Sequence, residues 1–120
     1  MYLCIEVSSE GNYAWYRDNQ WTKQAINTKI NGVMKKDWNV VGGAYGAGEK
    51  EVLYETLLLH KHKVVGKKAL VIGSETPWVE AILLAVGAKH VTTLEYNRIT
   101  STHPQVNNLP VRNLIITKNY

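Results

Sequence analysis

The stretch ALVIGSETPWVEAILLAVGAKHVTTLEYN, residues 69 to 97, decides the fold of this chain. Together with Lys68 it opens with an apolar run that ends at Ile72, and such a run is typical of a strand buried on both faces of a parallel sheet. The Thr76 hydroxyl is predicted to cap a helix whose first residue is Pro77. The residues from Trp78 to Val86 are apolar except Glu80, which predicts a helix buried on most sides.

A second strand completes the unit. Gly87 is expected to end the helix in a left-handed conformation, and the run from His90 to Leu94 is rich in β-forming residues. A crossover of this length with a central helix predicts a right-handed unit in which the two strands are adjacent and parallel.

Glu95 gives the unit its functional interest. It lies at the carboxyl end of the second strand, about 20 residues after Gly73, the spacing at which an acid binds the ribose of a nucleotide in Rossmann-like folds. A carboxylate suits this task because it accepts hydrogen bonds from two adjacent hydroxyls. The alternative is a solvated glutamate at the end of a strand.

These residues carry a family resemblance. The segment LVIGSETPWVEAILLAVGAKHVTTLEYN resembles the first motif and second strand of class I S-adenosylmethionine-dependent methyltransferases, in the form found in a family known only as a domain of unknown function. The resemblance covers about residues 66 to 105. It implies an α/β fold with a Rossmann-like parallel βαβ core and a cofactor site formed by Gly73, Ser74, Glu75 and Glu95.

Three positions depart from the methyltransferase pattern and bear on the cofactor. Val71 stands where the pattern has a strand acid, Glu75 where it has the second glycine, and Pro77 where it has the third. A carboxylate beside a helix N-terminus repels a pyrophosphate, which disfavours NAD and FAD. S-adenosylmethionine has no phosphate and carries a cationic sulfonium that tolerates a carboxylate, so we expect S-adenosylmethionine as the cofactor.

The chain is predicted to have two parts. Residues 1 to 48 are interpreted as an irregular, aromatic-rich N-terminal extension with one short strand at MYLCIEV, and residues 49 to 120 as a partial Rossmann-like domain of the methyltransferase type. Large aromatic residues of the extension are expected to cover one face of the core, with base stacking as the alternative; they are Trp15, Tyr16, Trp21 and Trp38.

The glycine-rich loop from Gly42 to Gly48 looks like a phosphate-binding loop and fails at its decisive positions. Glu49 stands where the phosphate-binding lysine belongs, and the magnesium-binding serine or threonine is absent, because Lys50 is followed by Glu51. We therefore predict a flexible loop before a helix that runs from about Glu49 to His60. The alternative is a loop that closes over a ligand.

The segment after Glu95 contains turn residues and two prolines, which predicts no helix and at most one more short strand, LIIT. His103 is interpreted as a loop histidine rather than a general base, and no catalytic residue is identified. We expect a truncated, catalytically incomplete methyltransferase-like protein whose methyl acceptor is unknown. The alternative is a non-catalytic interaction module, and an open sheet edge could support a homo-oligomer.

Charge and composition add a few expectations. The net charge is +4 and the basic stretch from His60 to Lys68 is interpreted as a solvated helix end, so the signal for nucleic acid is weak. Cys4 is the only cysteine, which rules out an intramolecular disulfide and a cysteine-based metal cluster. His60 and His62 alternate with lysines, whose positive charges oppose the binding of a metal ion.

The expected location follows from two further features of the sequence. Without a signal sequence or a membrane span, a cytoplasmic or nuclear location is expected.

Overall fold

The architecture is taken from a computed structural model, which describes residues 2–6, 19–43, 45–95 and 98–110. Its larger sheet has four parallel strands in the order β1-β3-β4-β6, and a smaller sheet pairs β2 with β5 in parallel. The strands are β1 (Tyr2–Glu6), β2 (Asn19–Trp21), β3 (Lys68–Ile72), β4 (His90–Glu95), β5 (Ile99–Ser101) and β6 (Val106–Pro110). The helices are α1 (Lys23–Met34), α2 (Trp38–Val41), α3 (Ala47–Leu59) and α4 (Trp78–Val86), with a 3-10 turn at Lys61–Lys63.

The predicted parallel unit is confirmed. β3 pairs with β4 from Lys68 opposite His90 to Ile72 opposite Leu94, and α4 lies between the two strands in the chain. Gly87 ends α4 with a φ of 121°, a left-handed value that favours glycine. The α/β class with parallel sheets is therefore as expected from the sequence.

The start of α4 differs from the prediction. The helix begins at Trp78 with Pro77 as its N-cap residue, and the side chain of Thr76 does not cap it. The Ser74 hydroxyl donates a hydrogen bond to the Thr76 carbonyl oxygen, just before the helix, at 2.9 Å. The helix therefore starts one residue later than predicted.

The prediction that β3 is buried on both faces is wrong. Ala69 and Val71 are buried, whereas Leu70 and Ile72 are half-buried. The buried face is the one that packs on α4. On the other face, Leu70 is paired in register with Thr92, whose Oγ1 donates to Asn107 Oδ1 of β6 at 2.8 Å, and Ile72 is paired with the buried Leu94. This face therefore carries both polar and apolar side chains.

The N-terminal region is more regular than predicted. The strand expected in MYLCIEV is confirmed as β1, which pairs with β3. An irregular extension is wrong for residues 23–34, which form α1 with Thr22 as its N-cap. Trp21 and Trp38 are buried in the core as expected, while Trp15 and Tyr16 lie outside the described residues.

The chain after Glu95 is also more regular than predicted. Two further strands, β5 and β6, lie there, and β6 pairs with β4 from Val106 opposite Val91 to Pro110 opposite Glu95. The segment LIIT lies outside the described residues. In the part of the chain that the structure describes, no helix is long and apolar enough to pass through a bilayer.

Candidate functional site

The turn at Gly73 joins the end of β3 to α4. Gly73 has a φ of 75°, a left-handed value that a residue with a Cβ adopts only with strain. Its backbone N–H donates to the Leu94 carbonyl oxygen at 2.7 Å, so the turn is fastened to the last residues of β4. The glycine found in the sequence is therefore required by the backbone path.

Glu95 lies against this turn. The backbone N–H of Ser74 donates to Glu95 Oε2 at 2.7 Å, and both residues are buried, with 1% and 6% of their surfaces exposed. A carboxylate that accepts a hydrogen bond from a buried backbone N–H makes a charge-assisted bond. The structure thus brings together Gly73, Ser74 and Glu95, three of the four residues predicted to form the site.

Glu75, the fourth predicted residue, takes part through its backbone. Its carbonyl oxygen accepts hydrogen bonds from Asn19 Nδ2 at 2.6 Å and from Trp21 Nε1 at 3.4 Å. Both donors belong to β2, so the N-terminal part of the chain packs directly on the glycine turn. The side chain of Glu75 is half-buried.

Three positions around the start of α4 offer no free N–H group to an anion. Pro77 has no N–H, the Trp78 N–H donates to the Thr76 carbonyl oxygen at 2.8 Å, and the Ser74 N–H is taken by Glu95. A helix N-terminus binds phosphate through free N–H groups of this kind. This end of α4 is therefore poorly suited to a pyrophosphate.

A second buried acid, Glu80, lies in the same region and was not among the predicted site residues. It has no exposed surface, and its carboxyl oxygens contact the hydroxyls of Thr93, at 2.7 Å, and Ser74, at 3.2 Å. Burial raises the pKa of Glu80 to about 7, against the lowering effect of these hydrogen bonds, and the negative charge of Glu95 raises it slightly further. The sequence shows Glu80 only as the single acid in an apolar helix, and its partner Thr93 is on a different element.

The geometry around Glu80 suits a protonated carboxyl. The Ser74 hydroxyl has one proton and lies close to two oxygens, the Thr76 carbonyl at 2.9 Å and Glu80 Oε1 at 3.2 Å. The carbonyl can only accept a hydrogen bond, so it takes the Ser74 proton. A proton on Glu80 Oε1 then donates to Ser74 Oγ, while Thr93 donates to Oε2. Every oxygen in this network has a partner when Glu80 is neutral.

The glycine-rich loop before α3 borders a cavity of about 320 Å³. The loop packs on the start of α4, where the rings of Tyr45 and Trp78 are 5.4 Å apart between centroids. Lys50, a buried cation, lines the cavity. The complete lining is Trp38, Asn39, Gly42, Gly43, Tyr45, Gly46, Ala47 and Lys50.

His103 is held by its neighbours. Its Nδ1 accepts a hydrogen bond from the Gln105 backbone N–H at 3.1 Å, which leaves the proton on Nε2, 3.0 Å from Asn27 Oδ1. Burial lowers the pKa of His103, and the positive charge of Lys23 lowers it further. Both ring nitrogens serve these contacts. Within residues 2–6, 19–43, 45–95 and 98–110, no group of three or more His, Cys, Asp or Glu side chains is arranged to hold a metal ion.

Comparisons of this chain with protein-family models, curated proteins and solved structures found no match.

Proposed function

We propose that this chain is a methyltransferase-like α/β protein that binds S-adenosylmethionine at the Gly73 turn and Glu95. The observation that supports the proposal most is the hydrogen bond from the Ser74 N–H to the Glu95 carboxylate. This bond holds Glu95, at the carboxyl end of β4, against the glycine turn that follows the adjacent strand β3. Open α/β sheets bind nucleotides at the carboxyl ends of their strands.

The residues around this point fit an adenosine group. Glu95 ends β4 and is the candidate for the ribose hydroxyls. On the next strand, Asn108 is paired in register with Thr93, and its buried side-chain amide has no hydrogen-bond partner among the described residues. An amide offers both a donor and an acceptor, as an adenine edge requires. The cofactor would supply an electrophilic methyl group on its sulfonium.

The choice of S-adenosylmethionine over NAD or FAD follows from the start of α4. The N–H groups of Ser74 and Trp78 are already bonded within the protein, and Pro77 has none. A ligand without phosphates does not need those donors. The negative charge of Glu75 also disfavours a pyrophosphate at this place.

The second candidate is a non-catalytic interaction module that keeps the fold. It is favoured by the contacts of Asn19 and Trp21 with the Glu75 carbonyl oxygen, which cover the glycine turn with part of the chain itself. Under this proposal the bond between Ser74 and Glu95 serves the fold alone. Cofactor binding distinguishes the two candidates.

Calorimetric titration of the 120-residue chain with S-adenosylhomocysteine, which cannot donate a methyl group, tests the proposal. We expect saturable binding, no binding of NAD, and a loss of about 1–3 kcal/mol in binding free energy for Glu95→Gln, the scale of a hydrogen bond to a charged group. Glu51→Gln, on the exposed side of α3, is the matched control and should bind as the unmodified chain does.

Folding of each variant is checked by circular dichroism before titration. Absence of binding to the folded, unmodified chain would contradict the proposal and favour the interaction module. Equal affinity of the Glu95 variant and the Glu51 variant would remove Glu95 from the site even if the cofactor binds.

A further inference from the structure

Two lysines hold the end of the short helix α2. Lys29 Nζ donates to the Val41 carbonyl oxygen at 2.6 Å, and Lys50 Nζ donates to the Trp38 carbonyl oxygen at 3.3 Å. Lys50 has only 5% of its surface exposed. Two ammonium groups from different helices therefore meet at the carboxyl end of a helix of four residues.

Among the described residues, neither of these ammonium groups has a close counter-ion. The ion pairs within 4 Å among the described residues are those of Lys36, and neither Lys29 nor Lys50 takes part in one. Burial lowers the pKa of Lys29, and the positive charge of Lys50 lowers it further. Burial also lowers the pKa of Lys50, against the opposing effect of Glu49, an exposed acid of the first turn of α3. Buried charges are ordinarily paired.

Lys50 borders the cavity, and Lys29 lies beside one of the residues that line it. Lys50 is part of its lining, and so is Gly42, whose Cβ, if it had one, would lie 3.1 Å from Lys29 Nζ. The cavity also meets the start of α3 at Gly46 and Ala47, where no side chain caps the helix. The first N–H groups of a helix are unsatisfied by the helix itself and carry partial positive charge.

We propose that this cavity binds the oxyanion group, phosphate or carboxylate, of a small molecule, held by Lys50 and Lys29 with the first turn of α3. Its volume of about 320 Å³ is that of a small-ligand pocket. Trp38 and Tyr45 supply aromatic walls on which the rest of such a molecule can pack. This site does not depend on the cofactor proposed for the Gly73 turn.

If the two lysines only stabilised α2, most of their N–H donors would have no acceptor. An ammonium group has three N–H donors, and among the described residues each of these two lysines has one acceptor. Donors thus remain for an anion in the cavity. Glu49 opposes an anion there, so its removal should strengthen binding.

The test is a titration of the full chain with sodium phosphate and, separately, with sodium acetate, at constant ionic strength. Binding is measured by calorimetry and by the shift in melting temperature. We expect saturable binding of at least one anion, with the affinity reduced about tenfold or more in Lys50→Met and in Lys29→Met, as for a lost bond to a charged group. Lys35→Met, at an exposed position directly after α1, is the control and should leave the affinity unchanged. Glu49→Gln should raise it.

The two anions separate the possible ligands, since phosphate binding alone indicates a phosphorylated molecule and acetate binding a carboxylic acid. If a lysine variant fails to fold, amide shifts of Gly46, Ala47 and Gly48 in nitrogen-15 spectra of the unmodified chain locate the anion directly. Equal anion effects in all variants, or no saturable binding and no amide shifts, would overturn the proposal and leave the lysines as fasteners of α2.

Discussion

Thr93 Oγ1 donates a 2.7 Å hydrogen bond to Glu80 Oε2, a carboxyl oxygen of a side chain with no exposed surface. The bond joins the centre of β4 to α4 and places a titratable group inside the apolar core. Because the charged form of a carboxyl is costly to bury, the burial of Glu80 makes the stability of the fold depend on pH.

The first prediction concerns that dependence. Burial raises the pKa of Glu80 from 4.5 to about 7. The folded state therefore holds the proton more tightly than the unfolded state, and the resulting stabilisation is complete below pH 4.5 and lost as the pH rises through about 7. The loss expected from this group is about 3 kcal/mol.

Urea unfolding at pH 5 and pH 8 measures this loss. Glu80→Gln keeps the shape of the side chain and does not titrate, so its free energy of unfolding should change less between the two pH values than that of the unmodified protein. The same pH dependence in both proteins would show that Glu80 is not the responsible group.

The second prediction concerns the close approach of the glycine-rich loop to α4. A Cβ on Gly43 would lie 2.7 Å from Trp78 Cδ1, and Gly43 has a φ of 98°. Gly43→Ala should therefore reduce the free energy of unfolding by about 1–3 kcal/mol, the cost of a strained backbone position. Thermal unfolding with calorimetric detection gives the value.

Gly48→Ala is the matched control. Gly48 lies inside α3, and a Cβ there would meet no atom within 4 Å. Alanine loses less conformational entropy than glycine in a helix, so this variant should gain about 0.5–1 kcal/mol. Similar effects of the two substitutions, in either direction, would refute the described packing of the loop.

Much of the central unit could be predicted from the sequence, because its signals are local. The apolar run of β3, the helix that is apolar except for Glu80, and the glycine after Val86 each indicate their element without knowledge of the rest of the chain. Three residues predicted to form a cofactor site, Gly73, Ser74 and Glu95, are also brought together, since the carboxyl ends of adjacent parallel strands meet at one edge of a sheet.

The elements that were missed depend on distant contacts or on weak patterns. β6 contains Asn107, Asn108 and Pro110, which are poor strand formers alone, and pairing with β4 overrides their preference. In α1 the helical spacing of Ile26, Ile30 and Val33 was available as a signal, although polar residues and Gly32 surround it. The role of Glu80 could not be predicted, because it depends on the contact between α4 and Thr93 of β4.

The third prediction concerns Val71, which stands where the methyltransferase pattern has a strand acid. Val71 is fully buried on the face of β3 that packs on α4. Val71→Asp would place an unpaired charge there and should cost about 3 kcal/mol or more of folding stability. Val52→Asp, at a position of α3 that is 66% exposed, should change stability by no more than about 0.5 kcal/mol. Chemical unfolding gives the stability of both variants. A folded Val71→Asp variant that is about as stable as the Val52→Asp control would contradict the described burial of Val71.

The fourth prediction separates the structural role of Glu95 from ligand binding. Glu95→Ala leaves the buried N–H of Ser74 without this acceptor, which should reduce the free energy of unfolding by about 1–3 kcal/mol. Glu95→Gln retains a side-chain oxygen that can accept the bond, so its loss should be smaller. Denaturant unfolding without any ligand gives both values, and an alanine variant as stable as the glutamine variant would count against the bond.

The pairing of β1 with β3 has a consequence for the order in which the protein assembles. Tyr2 lies beside Lys68 and Glu6 beside Ile72, so the ribosome releases the first strand long before its neighbour exists. Closing such a long loop is slow, because its entropy is lost before the strand contacts form. The pair of β3 and β4 closes a shorter loop, which contains α4, and can form first. β1 then pairs with the edge of β3 that is already in place. We expect hydrogen exchange during refolding to protect the amides of β1 later than those of β4.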